Sequence, residues 1–234
     1  MPDDRLAMPP RDPNKTHVAL TLVLDVSSSM SEPANRDMPE ETPIKLLNDC
    51  INEMLKDMKN DSKLNTIVDL SIFTFGDPNK QNPYQDFKAI IDVAPIQLVA
   101  DDDSTYIVKV LEEAIESTRQ RSNMYASAYK PWIVIITDGI FHDNENDLDR
   151  VGQIMKTRSR EGKHNFFGFG VPGFRREQLE KFCEQEQAAT RVVDIQDASN
   201  LPKLFSWIGR SMKKVSGTDP TALAEIENPK TIFI

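Results

Sequence analysis

The chain has 234 residues and a net charge of -9, with 39% hydrophobic and 28% charged residues. That is enough length to bury the core of one large domain with tails, and the composition is that of a soluble globular protein. The acidic balance and the lack of any extended Lys/Arg block exclude general nucleic-acid binding and attraction to anionic membrane, and no apolar run reaches membrane-helix length.

Residues 1–15 are polar, carry four prolines and have no apolar signal-peptide core, so they are expected to form a flexible N-terminal arm. The first strand is expected from His17 to Asp25, nearly all apolar, as for a strand covered on both faces. It stops on Asp25, and hydroxyls follow at Ser27 and Ser29. A Pro- and Glu-rich loop runs to Pro43. Thr42 is placed to cap the helix whose apolar face is Ile44, Leu47, Ile51, Met54, Leu55 and Met58. Thr66 to Phe75 reads as a strand, residues 76–83 as a loop, and Phe87 to Val93 as an edge strand ended or bent at Pro95.

Asp101, Asp102 and Asp103 read as a solvated loop, favourably placed before a helix with Tyr106, Ile107, Val110, Leu111, Ala114 and Ile115 on its face. Residues 131–138 form a second apolar strand that stops on an aspartate, Asp138. A helix follows with Leu148, Val151, Ile154 and Met155. A strand is then expected over 165–170, a helix over 178–186, a short strand over 191–195 and a last helix through Leu201, Leu204, Phe205, Ile208 and Met212. Trp132 and Trp207 read as core. Cys50 and Cys183 sit in separate predicted helices without a CxxC pair, as reduced thiols of a cytoplasmic protein. The tail from Ser216 is polar until Thr231–Ile234, whose apolar residues either dock or hang free.

This alternation predicts an α/β fold: a doubly wound, mostly parallel sheet with helices on both faces, spanning residues 16–215 between the arm and a 216–234 tail. Asp25, Ser27 and Ser29 alone could be an ordinary turn cap. With Thr105 and Asp138 brought to the same sheet edge, two carboxylates and three hydroxyls can cradle a six-coordinate cation and leave a position open. Hard oxygen donors favour Mg2+, with Mn2+ or Ca2+ as alternatives. Asp77 and Asp143 follow strand ends on that edge and are expected at its rim. His142 reads as a surface-loop histidine.

Asp25-x-Ser27-x-Ser29, then Thr105, then Thr137-Asp138-Gly139 resemble the metal-ion-dependent adhesion site of von Willebrand factor type A (VWA) domains. The resemblance implies a Rossmann-like sheet of six strands, with the ion at its topological switch point and all five positions as ligands. Two positions depart from the family pattern: Ser28 stands between the serines where glycine is usual, and Ser104 precedes Thr105. Residues 129–139, 166–171 and 204–212 are also similar to the bacterial tellurium-resistance (TerY-type) VWA proteins. That narrower resemblance implies an intracellular stress or resistance system, with a protein kinase or phosphatase as partner.

The function expected from these features is a non-enzymatic binding module, in which the bound ion accepts an acidic side chain of a protein partner. The sequence pairs no His or Lys with Ser27 or Ser29 as a base. A Mg2+-dependent phosphohydrolase is the alternative, although position 27 is serine where that chemistry wants a second aspartate. A scaffold with a vestigial metal site is the third reading.

Overall fold

Strand β1 (Val18–Asp25) is buried along its whole length because it separates two cores rather than a core and solvent. Val18, Leu20, Leu22 and Leu24 face one layer, and Val23 faces the other. The computed structural model describes residues 12, 15–33, 42–79, 82–183 and 192–218. Among these, β1, β2 (Val68–Phe75), β3 (Gln85–Ala89), β4 (Trp132–Thr137), β5 (Asn165–Gly170) and β6 (Val192–Asp194) form one sheet in the order β3-β2-β1-β4-β5-β6. Every neighbouring pair is parallel except β2 with β3. The sheet order reverses direction at β1, so the switch point lies between the C-terminal ends of β1 and β4.

Helices α1 (Pro43–Asn60) and α6 (Leu201–Val215) cover one face, with Leu47, Ile51, Leu204, Trp207 and Ile208 fully buried against the sheet. Each such side chain contributes about 1.5–3 kcal/mol of burial. Thr42 caps α1 as expected, accepting the Lys45 N–H, and Pro43 opens the first turn. Trp132 and Trp207 pack ring against ring, 5.6 Å between centroids, in this core.

The other face is covered by α3 (Val108–Asn123), α4 (Glu145–Arg160) and the short α5 (Arg176–Leu179). Under α3 the interior is partly polar. Thr21 Oγ1 lies 3.0 Å from Ser71 Oγ and 2.7 Å from Thr118 Oγ1, and Arg121 donates to Asp69 across 2.9 Å. At the exit of α6, Tyr129 Oη donates to the carbonyls of Ser216 and Thr218, tying the last described turn to the residues before β4.

Several local expectations are corrected. Residues 64–67 close a helical turn, α2 (Leu64–Ile67), so the second strand begins at Val68. The edge strand covers 85–89, and a 3-10 turn over 90–92 replaces its expected end. The helix expected over 178–186 is only the four residues of α5. Cys183 is buried in the turn after it, while residues 184–190 lie outside the described set. Ile154 is exposed, and Leu148, Val151 and Met155 form the large apolar part of the buried face of α4, with Gly152 and Ser159 beside them. Asp101–Asp103 do not start α3. Its first backbone N–H groups, those of Ile107 and Val108, are accepted by the carboxylate of Asp143, from the loop after β4. The arm over 1–11 and the apolar Thr231–Ile234 lie outside the described residues.

Candidate metal centre

The parallel pairing of β1 with β4 sets Leu24 opposite Ile136, so one residue further on Asp25 and Thr137 are neighbours at the sheet edge. Asp25 is completely buried. Its Oδ1 accepts the Ser27 backbone N–H at 2.9 Å and the Ser27 hydroxyl at 2.6 Å, and its Oδ2 accepts the Thr137 hydroxyl at 2.5 Å. Ser27 Oγ lies 3.1 Å from Ser29 Oγ, which donates to Asp138 Oδ1 at 3.0 Å. Four of the five expected ligands therefore form one continuous chain of oxygens: Asp25, Ser27, Ser29, Asp138.

Thr105 closes the group from the β3–α3 connection. A Cβ added to Gly139 would lie 3.2 Å from Asp25 Oδ2, 3.3 Å from Thr105 Cγ2 and 3.5 Å from Thr105 Oγ1. Asp25 and Thr105 thus converge on the space that a side chain at 139 would take. A side chain there would press on both residues, so each would have to give by a few tenths of an ångström.

Loop-to-loop bonds fix the group. The Ser28 N–H donates to Asp102 O at 2.7 Å, and Asp102 Oδ2 accepts the Asp77 N–H at 3.1 Å. The Asp102 side chain lies directly over Gly76, where a Cβ would come within 2.6 Å of the Asp102 Cβ. Asp102 is therefore a bracket between the loops after β1 and β2, which corrects its reading as part of a solvated loop; Asp101 and Asp103 are exposed. Ser28 needs no glycine. Among the described non-glycine residues only Gln196 has a positive φ, so serine adopts this turn without left-handed strain. Ser104 turns its hydroxyl to the Gly76 carbonyl.

Asp77 and Asp143 spend their carboxylates on backbone N–H groups, Asp77 locally at Asn79 and Asp143 across loops at the start of α3. His142 is exposed, as expected, but it is not idle: its Nδ1 accepts the Thr105 N–H and its own N–H donates to the Thr105 carbonyl, each at 3.0 Å. Thr137 stands in the motif but outside the five expected ligands, and the structure gives it a role there, its hydroxyl holding Asp25. The signal for it is a hydroxyl ending a buried strand directly before Asp138.

Electrostatically the group wants a positive charge. Burial raises the Asp25 carboxyl above its ordinary range in spite of its hydrogen bonds. The Asp138 carboxyl is pushed up to about 6, first by burial and then by the charge of Asp25. The oxygens also have capacity left. A carboxylate offers about four lone-pair sites and a hydroxyl two, so Asp25 Oδ2 and both serine hydroxyls can take a further partner. Two carboxylates and three hydroxyls are a hard donor set that suits a small divalent cation.

A family model described as von Willebrand factor type A domain matches residues 19–207. No curated protein sequence matches the chain. Among solved structures, the D319A mutant of the PilB minor pilin from Streptococcus sanguinis superposes with a TM-score of 0.62 at 16% identity, over 87% of this chain and 63% of that one. Proximal thread matrix protein 1 from the mussel byssus, with a zinc-occupied MIDAS motif, superposes with a TM-score of 0.53 at 14% identity, over 83% of this chain and 48% of that one. These likenesses show the shared fold, and the chain spans less than two thirds of either protein.

Proposed function

Because the chain belongs to the von Willebrand factor type A domain family, we propose that it is a divalent-cation-dependent protein-binding module. Asp25, Ser27, Ser29, Thr105 and Asp138 would hold the ion, with Mg2+ the best match to their oxygens. When bound, the ion supplies an open coordination position for an acidic side chain of the partner protein. The observation that carries this reading is the continuous oxygen chain from Asp25 to Asp138, which ends on two carboxylates that burial, joined at Asp138 by the charge of Asp25, holds above their ordinary range.

A phosphohydrolase is disfavoured. Position 27, where that chemistry wants a second carboxylic acid, is a serine that donates its proton to Asp25. For the cellular setting we place the module in a bacterial stress or tellurium-resistance system in the cytoplasm, with a kinase or phosphatase as partner. This rests on the sequence similarity of residues 129–139, 166–171 and 204–212 to TerY-type proteins. No helix among the described residues is long and apolar enough to cross a membrane.

Isothermal titration with Mg2+, Mn2+ and Ca2+ tests the ion directly, and absence of both heat and thermal shift with all three overturns the reading. A pull-down run with Mg2+ and with chelator side by side tests the partner. Capture that is equal in both arms removes the ion from the interface.

The pH dependence follows from Asp138. Its folded-state carboxyl sits at about 6 against an ordinary 3.8, so its contribution to metal-free stability is present at low pH and lost as pH rises through about 6. Metal binding needs the deprotonated form and runs the opposite way. Mg2+ affinity is expected to hold above pH 7 and to fall about tenfold between pH 7 and 5. The stabilisation given by Mg2+ in thermal melts should therefore be larger at pH 7.5 than at pH 5. Equal shifts at both pH values would contradict the assignment of Asp138 as a ligand.

A further inference from the structure

We infer that His142 is a positioning residue of the ion site, clamping Thr105 to the loop that carries Asp138. The inference rests on the reading of the site as a divalent-cation site and adds to it a group outside the five ligands. Thr105 and Asp138 belong to different loops, and nothing in the strand pairing fixes one against the other.

His142 supplies that fix. The Thr105 N–H donates to His142 Nδ1 at 3.0 Å, and the His142 N–H donates to the Thr105 carbonyl at 3.0 Å. The next residue continues the contact: the Asp143 carboxylate accepts from Ile107 at 2.8 Å and from Val108 at 3.1 Å. Two adjacent residues of the Asp138 loop thus hold the stretch from Thr105 to Val108 by four hydrogen bonds. The imidazole also lies against the Tyr106 ring, 5.9 Å between centroids.

On its other side this connection is bonded to the β1 and β2 loops: three residues before Thr105 the Asp102 carbonyl accepts the Ser28 N–H, and the Tyr106 N–H donates to Gly76 O. Thr105 is therefore suspended between the two halves of the site, and His142 sets its distance from the Asp138 half. An outer group that orients a ligand in this way governs affinity without touching the ion. The chemistry asks for an acceptor two bonds beyond Cβ. Imidazole Nδ1 provides it, an asparagine Oδ1 sits at the same remove, and alanine has none.

Titration calorimetry of the full chain with Mg2+ and with Ca2+ tests this, using the unsubstituted protein, His142→Ala and His142→Asn. His142→Ala is expected to weaken Mg2+ roughly tenfold. Ca2+ should lose less than about threefold, because Mg2+ demands near-octahedral ligand placement and Ca2+ tolerates variation. His142→Asn should bind Mg2+ within about threefold of the unsubstituted protein, because it restores the acceptor. The clamp is overturned if His142→Ala keeps full Mg2+ affinity, if His142→Asn is as weak as His142→Ala, or if Mg2+ and Ca2+ affinities fall together. If the unsubstituted protein binds neither ion, the metal reading itself fails and the clamp with it, which separates the two failures.

Discussion

Asp25→Asn is expected to abolish Mg2+ binding while leaving the metal-free protein at least as stable as the unsubstituted one. The loss of affinity should exceed the roughly 10–100-fold that removal of an outer partner of a metal ligand costs, because a direct anionic ligand disappears. The stability side follows from burial. Asp25 has no solvent exposure, and its charge is held there against desolvation, which raises its carboxyl above the ordinary range. A folded-state carboxyl so raised destabilises the metal-free protein at neutral pH, and the neutral amide removes that cost. The asparagine carbonyl can accept from Ser27 as Oδ1 does now. Its amide N–H can face Thr137 Oγ1, which retains a free lone pair beside the Gly139 N–H it already accepts.

Alanine at position 25 is a different experiment. Asp25 belongs to the edge of the sheet by sequence but to the interior by burial, so truncation there is not harmless to the fold. Asp25→Ala leaves the Ser27 and Thr137 hydroxyls without their acceptor, at about 1–3 kcal/mol for each group left unsatisfied. Thermal melts without metal should therefore rank asparagine at or above the unsubstituted protein, with alanine below both. Calorimetry should show neither variant binding Mg2+. An asparagine variant that melts well below the unsubstituted protein would show that the charge stabilises the metal-free fold.

The parts of the site legible in the sequence are those set by short-range rules. A buried strand that stops on a carboxylate announces a sheet edge, and two such strands, ending at Asp25 and Asp138, announce the switch point. Ser27 and Ser29 follow one of them within a single turn. The helices α1 and α6 were equally plain, because their apolar residues recur at helical spacing over four turns. What could not be read is contact between loops. That His142 reaches Thr105, that Asp143 rather than Asp101–Asp103 caps α3, and that Asp102 lies over Gly76 all depend on how the connections cross above the sheet. The α5 region misled for another reason: its apolar spacing at Leu179, Phe182 and Cys183 suits a helix, yet the same burial is achieved by a short helix and a turn.

Arg121→Ala is expected to destabilise the fold by about 3–5 kcal/mol without changing Mg2+ affinity. Asp69 stands in β2 among strand-forming residues, and its side chain is 3% exposed; that of Arg121, near the end of α3, is 7% exposed. Arg121 Nε donates to Asp69 Oδ2 at 2.9 Å, and the guanidinium lies 5.6 Å from the Tyr125 ring centroid and 6.0 Å from that of Phe87. Truncating the arginine leaves a buried carboxylate without its counter-charge and removes the packing on both rings. A loss of that size is about a fifth or more of the stability of an ordinary domain, so it should appear as a large fall in the urea midpoint. The paired replacement Asp69→Leu with Arg121→Met removes both charges and should be close to neutral or stabilising. If the single variant costs less than about 1 kcal/mol, water has taken the place of the arginine and the pair is not a dry one. Metal affinity is the control. Helix α3 begins just after Thr105, but Arg121 lies near its far end, about 20 Å along a helix rising 1.5 Å per residue. The fold on the α3 side is thus held by an ion pair at one end of the helix and by Asp143 at the other. Only the Asp143 end belongs to the loop that carries Asp138, so loss of Arg121 should lower the melting temperature with and without Mg2+ by the same amount.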